Sequence, residues 1–266
     1  RMTGFGQDGP LAQTAGHDIN YISIAGALGA SARAGERPMF PLNLLGDFGG
    51  GGMLLALGVV SALVQARASG EGQVVDAAMV DGVALLTTAI HALRQGGYWE
   101  LPPGHNLLDS GAPFYEVYDT ADGGHIAVGA IEPQFYAELL ARIGLDPAEA
   151  PQWEQSGWPA LKQRFAEVFR SRSSADWQAL LEGAETCVTV VLSLEEAPRH
   201  PHNLARGTFV EVDGVVHPAP APRFSRTPTS VPTTPPLAAA LPEDGLVPWG
   251  VGPDELRELR ASKVIV

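Results

Sequence analysis

Asn43-Leu44-Leu45-Gly46-Asp47-Phe48-Gly49-Gly50-Gly51-Gly52 is the stretch on which the fold turns. A single carboxylate stands at the mouth of a glycine run, and the run opens an apolar series that reaches Arg67. The pattern predicts a long helix over 48–67, with Ser69-Gly70-Glu71-Gly72 as its stop signal. A carboxylate at a helix start lies among amides without intrahelical partners. Four glycines also let a ligand, or a second helix, come close to that backbone. No Lys-Ser or Lys-Thr follows, so the run is not a phosphate loop. It lacks the preceding strand and downstream acid of a dinucleotide fingerprint. Asp47-Phe48-Gly49 spells a kinase magnesium motif, but the catalytic-loop and lysine motifs that belong with it are missing.

Working back along the chain, Ala15-Gly16-His17-Asp18-Ile19-Asn20-Tyr21 sets an imidazole beside a carboxylate where a helical pattern begins, predicted over 18–28. One basic and one acidic group, each at the start of a different helix, can face each other across a cleft. That arrangement suits taking a proton from one face of a carbon and returning one to the other. The local alternative is simple capping: Asp18, Asp47 and Glu132 all stand where acids stabilise helix starts. No second histidine lies three or four residues from His17, and His200-Pro201-His202 is held in a turn-like segment, so no metal site is expected.

Working forward, Gln73–Asp76 reads as a short strand and Ala77–Gln95 as a second apolar helix. Both long helices are apolar nearly all round and need something large to cover them. The pattern changes at Ala112. Residues 114–118 and 125–129 form a hairpin signal around Asp122-Gly123-Gly124. Helices follow at Glu132–Ile143, Leu161–Arg170 and Ala175–Leu181. A second hairpin is predicted over 209–216 around Asp213-Gly214, then a proline-rich connector Val231–Pro242 and a short helix Asp254–Ala261. The fold class is α/β. The expected domains are a helix-rich large-domain part over 1–111, a smaller α+β lobe over 112–217, and a connector with a returning helix over 218–266.

With 266 residues, 45% of them hydrophobic, the chain can bury a large core; its net charge of −13 argues against nucleic acid. Cys187 is the single cysteine, which excludes an internal disulfide and fits a reducing cytoplasm. Within Cys187-Val188-Thr189-Val190-Val191-Leu192 it reads as an inert thiol in a buried strand. The apolar run Met53–Leu63 looks too short and too rich in glycine to span a bilayer, so no membrane partner is expected.

Taken together, these residues resemble the α-methylacyl-CoA racemases of the family III CoA-transferase (carnitine dehydratase/bile-acid-inducible) superfamily. Thr3-Gly4-Phe5-Gly6-Gln7-Asp8-Gly9-Pro10 is similar to the family segment just before its catalytic histidine. Gly129-Ala130-Ile131-Glu132-Pro133-Gln134-Phe135-Tyr136 is similar to its later glutamate motif. The resemblance runs from residue 1 to about Leu145 and more loosely beyond. It implies that this is the C-terminal portion of the family fold, with a nucleotide-binding-like segment placed ahead of it in relatives and absent here. It implies His17 and Asp47 as the two proton-transfer groups, with Glu132 orienting the imidazole. Asn43, Gly46, Tyr21 and Tyr115 are the implied substrate-binding residues.

The implied reaction is a 1,1-proton transfer that interconverts 2R- and 2S-methylacyl-CoA through an enolate, stabilised by amides at the glycine-rich helix start. It implies no cofactor, because CoA enters as part of the thioester substrate. Relatives are interlocked homodimers, and the same is expected here. Two alternatives stand beside this reading. One is a CoA transferase in which Asp47 is the acyl-accepting nucleophile. The other is a catalytically silent fragment.

Overall fold

The glycine run is itself helical. In the computed structural model, which describes residues 1–99, 102–231 and 246–265, Leu44–Ser69 is one continuous helix, α3, of 26 residues. It is π-wound over Leu44–Met53 and α-helical over Leu54–Ser69. It therefore begins ahead of the expected Phe48. Interior glycines each cost about 1 kcal/mol in a helix, and here close packing offsets that cost. A Cβ on Gly82 would sit 1.9 Å from the Gly50 carbonyl oxygen, and one on Gly50 would sit 2.7 Å from the Val83 nitrogen. The glycines thus serve helix-to-helix contact with Met79–Leu86. The stop signal behaves as read: Gly70 takes φ 80° and its N–H donates to the Ala66 carbonyl.

Around α3, Met2–Thr3 (β1) pairs in parallel with Ala77–Ala78 (β2), just past the strand expected at Gln73–Asp76. The helix expected over 18–28 is two: Asp18–Ile24 (α1) and Ala27–Ala30 (α2), parted at Gly26 with φ 84°. The helix expected over 77–95 also divides, into Met79–Leu86 (α4) and Thr88–Gln95 (α5). Thr87 lies at that break, its hydroxyl donating to the Ala84 carbonyl at 2.8 Å, a bond that competes with helix continuation. Ile22, Ala27 and Val83 form the buried centre here, with Leu45 and Leu28 against them.

The region after Ala112 builds a separate core. Tyr115–Asp119 (β3), His125–Gly129 (β4) and Val188–Val190 (β5) form an antiparallel sheet in that order, with Tyr118 opposite Ile126. Pro133–Ile143 (α6), Trp158–Phe169 (α7) and Ser174–Leu181 (α8) complete it. Phe114, Tyr118, Tyr136, Trp158, Phe165, Phe169 and Trp177 are all buried there. Each polar aromatic tip finds a carbonyl, as buried Tyr and Trp require. Trp177 Nε1 donates to Phe169 at 2.7 Å, Trp158 Nε1 to Gln152 at 2.8 Å, and the Tyr136 hydroxyl to Ala150 at 3.0 Å. Burial pushes the Tyr136 phenol up to about 12.

By contacts the chain divides into two units, Arg1–Val191 and Leu192–Val266. The second holds Pro201–Arg206 (α9), the hairpin Phe209–Val212 (β6) with Val215–Pro218 (β7), and Pro253–Ala261 (α10). Asp213 and Gly214 both take positive φ in the hairpin turn, as a two-residue turn demands. The proline-rich connector expected over Val231–Pro242 lies, from residue 232 onward, outside the described residues.

Two expectations need correction. Cys187 is exposed, because a left-handed backbone (φ 51°) just ahead of β5 turns it out of the sheet. Desolvation, then the charges of Glu132 and Glu185, hold its thiol above the ordinary range, which disfavours the reactive thiolate. The run Met53–Leu63 is only part of a longer helix. As a continuous helix, α3 is long and apolar enough to cross a membrane by length and composition. No residue of Leu54–Ser69 is buried, and Leu57, Val60, Leu63 and Val64 are each more than half exposed.

Candidate active site

His17 is the N-cap of α1, with extended backbone at φ −135°, ψ 176°. Its N–H donates to Asn20 Oδ1 at 3.0 Å, which fixes the chain where the imidazole emerges, and the side chain is exposed. The next residue turns inward. Asp18 is 4% exposed, and its Oδ2 accepts from the Gly46 N–H at 2.6 Å and the Asp47 N–H at 2.8 Å. The start of α1 is thereby stitched to the start of α3. Gly46 must be glycine for this to happen, because a Cβ there would sit 2.6 Å from Asp18 Oδ2.

Asp47 is half-buried, and its Oδ2 accepts from Asn43 Nδ2 at 3.0 Å. Asn43, expected to bind substrate, thus holds the carboxylate of its own helix. Tyr21 is buried; its hydroxyl donates to the Gly16 carbonyl, and its ring meets Phe5 edge-on at 4.9 Å. Its phenol is raised above the ordinary range first by desolvation and then by the Asp47 charge, so the two are electrostatic neighbours. His17, Asp18, Tyr21, Asn43, Gly46 and Asp47 therefore gather at two adjoining helix starts.

Glu132 and Tyr115 do not join them. Glu132 is the exposed N-cap of α6, and its charge is felt at Cys187. Among the described residues no hydrogen bond or ion pair links it to His17. Tyr115 opens β3 and lines a cavity of about 760 Å³ shared with Leu45, Arg33, Trp99, Val128 and Cys187, among others.

Two features escaped the sequence reading. Asp18 reads in the sequence as an acid at its own helix start, but it caps a helix 28 residues further on, which has no local signature. Glu116, its side chain 3% exposed, is held at 2.8 Å by both Arg33 and Lys162, and so links the α2–α3 loop to the sheet and α7. Here a signal existed: strand alternation puts Glu116 on the inward face between Phe114 and Tyr118, where a charge needs partners.

Residues 1–240 match the family model described as CoA-transferase family III. The chain is 45% identical over 270 residues to the α-methylacyl-CoA racemase of Mus musculus and 44% identical over 269 residues to that of Homo sapiens. Each alignment covers all of this chain and 70% of the relative. A crystal structure of a protein from Brucella suis, described as a CAIB/BAIF family protein, superposes with a TM-score of 0.73 at 20% identity. That match covers 94% of this chain and 66% of the other, and shows a shared fold.

Proposed function

The chain belongs to CoA-transferase family III, and on that premise we propose that it racemises 2-methylacyl-CoA thioesters. The observation that carries the proposal is the identity of 44–45%, over the whole chain, with two proteins named as racemases of that substrate class. The stitched helix starts suit it chemically. A thioester acidifies the adjacent carbon by spreading charge onto its oxygen. One of His17 and Asp47 removes the α-proton, leaving an enolate, and the other, already protonated, delivers a proton to the opposite face. The product is the other epimer, the two groups have exchanged protonation states, and no atoms are gained or lost. In the reverse direction the roles exchange.

One part of the expected chemistry is revised. The amides of Gly46 and Asp47 already donate to Asp18, so those two do not hold the enolate oxygen. The acyl chain, in this reading, takes the largely apolar cavity beside Tyr115, whose volume is that of an ordinary small-molecule site. We further propose a homodimer, in which the uncovered face of α3 is buried and Glu132 of one copy reaches His17 of the other. That assignment makes α3 a helix covered by protein rather than lipid. Its first half favours this, since Asp47 lies within it and Gly50 packs on Val83. The exposed Cys187 thiol suits a reducing cytoplasm.

The test uses the protein at its natural length in deuterated water. Asp47→Asn should abolish epimerisation, about a thousandfold or more, while one enantiomer still exchanges its α-proton through His17. A hydroxylamine-trapped acyl adduct on Asp47, with no deuterium entering the α-position of the wild type, would instead establish acyl transfer by a nucleophilic Asp47.

A further inference from the structure

Asp18 sits one residue after His17, yet its carboxylate binds the backbone of Asp47. We propose that Asp18 is the positioning residue that sets Asp47 in register with His17, acting mainly on the Asp47 side of the reaction; this rests on the racemase reading above. Three observations carry it. A single oxygen, Oδ2, takes both the Gly46 and the Asp47 N–H, at 2.6 and 2.8 Å, so the backbone of the reacting acid is tied directly to the chain beside the reacting base. The tie is buried, with Asp18 4% exposed, and it needs glycine at 46, where a Cβ would sit 2.6 Å from Oδ2. The other oxygen, Oδ1, is buried with no hydrogen-bond partner among the described residues. A charged group kept inside with half its acceptors unused is costly, and a helix that needed only a cap could have taken one from its own N-terminal residues. His17 has its own anchor, the bond from its N–H to Asn20, which does not pass through Asp18.

Loss of the Asp18 carboxylate should therefore misplace Asp47 while leaving His17 where it is. Misplacement on the scale of 1 Å is enough to cost a hundredfold in rate.

The experiment measures α-proton exchange of each enantiomer of a 2-methylacyl-CoA in deuterated water, using the protein at its natural length. Asp47→Asn identifies which enantiomer depends on Asp47. In Asp18→Ala, exchange of that enantiomer should fall about tenfold or more further than exchange of the other, with KM unchanged within about threefold. Asp18→Asn retains one carbonyl oxygen for the two amides and should bring the ratio of the two exchange rates back to the wild-type value. Gly46→Ala, which displaces the carboxylate without removing it, should reproduce the imbalance and decides the matter if Asp18→Ala does not fold. Equal losses for both enantiomers, or an Asp18→Asn as unbalanced as Asp18→Ala, would overturn the positioning role and leave the racemase reading intact. A wild type that exchanges neither enantiomer would overturn that reading, and this inference with it.

Discussion

Two regions of the chain end in opposite states, and the more apolar of them is the one left uncovered. The outer half of α3, Leu54–Ser69, buries none of its residues. The α+β region from Ala112 to Leu181 buries eighteen in one cluster. The difference lies in what the chain supplies nearby. After Ala112 the strands and helices alternate closely enough for Phe114, Tyr136, Phe165 and Trp177 to meet one another, and each element covers the next. The helix α3 is packed on α4 along its first part, where Gly50 and Gly82 admit it, and past Met53 none of its residues is buried among the described residues. Apolar composition therefore shows that a surface needs covering, but not what covers it.

The largest effect expected from this contrast is in the aromatic core. Phe165 is fully buried and has Phe169, Tyr118 and Tyr136 within ring-contact distance. Phe165→Ala should lower unfolding stability by about 3–5 kcal/mol, read from urea denaturation. A loss below about 1 kcal/mol would mean that this core is far looser than its geometry implies.

What the sequence disclosed follows the same divide. The hairpin at 115–129 and the helices after it were legible because their signals are local: a turn with glycine, strand alternation, helical periodicity. Local readings failed where a distant group decided the outcome. Gly49–Gly52 read as a helix opening that admits a ligand or a second helix; the second helix is the one present, α4, though which segment supplies it is not written in the run itself. The helices expected over 18–28 and 77–95 break at Gly26 and Thr87, each a one-residue event inside a good periodic pattern. His17, Asp47 and Gly46 were found through motif resemblance, and the structure brings them together. Asp18 needed the fold, because its partners lie 28 and 29 residues away. Glu132 caps α6 and Tyr115 opens β3, and among the described residues no hydrogen bond joins either to that cluster.

A smaller effect is expected on the uncovered face. Leu63 is 55% exposed. Leu63→Ser should change unfolding stability of the unassociated chain by no more than about 0.5 kcal/mol. If a second copy covers this face, the same substitution should weaken self-association by about tenfold in sedimentation experiments, as loss of a buried leucine does. Unaltered association would remove α3 from the interface and break the comparison at its weaker side.

The smallest effect concerns how the covered region is pinned at its edge. Asp122, in the turn between β3 and β4, accepts from Thr120 Oγ1 at 2.5 Å, and both its oxygens accept from the Ser174 N–H at 3.1 Å. It thereby ties the hairpin to the first turn of α8, a connection with no counterpart among the described residues on the outer half of α3. The Thr120 hydroxyl is the main cause, and the Ser174 amide a further one, of a carboxyl held down at about 2 rather than 3.8. These bonds favour the charged form, so the folded value lies below the unfolded one. The contribution is complete above about pH 3.8 and disappears as pH falls through about 2, because there the folded form must also take up the proton. Asp122→Asn removes the titrating group. Its urea midpoint should therefore lie below that of the wild type above about pH 4, and the gap should narrow as the solution is acidified toward about pH 2. The group is fully exposed, and solvent screening keeps the effect small. A gap that stayed constant across that window would mean that the tie is made by geometry alone, with no part played by the carboxylate charge.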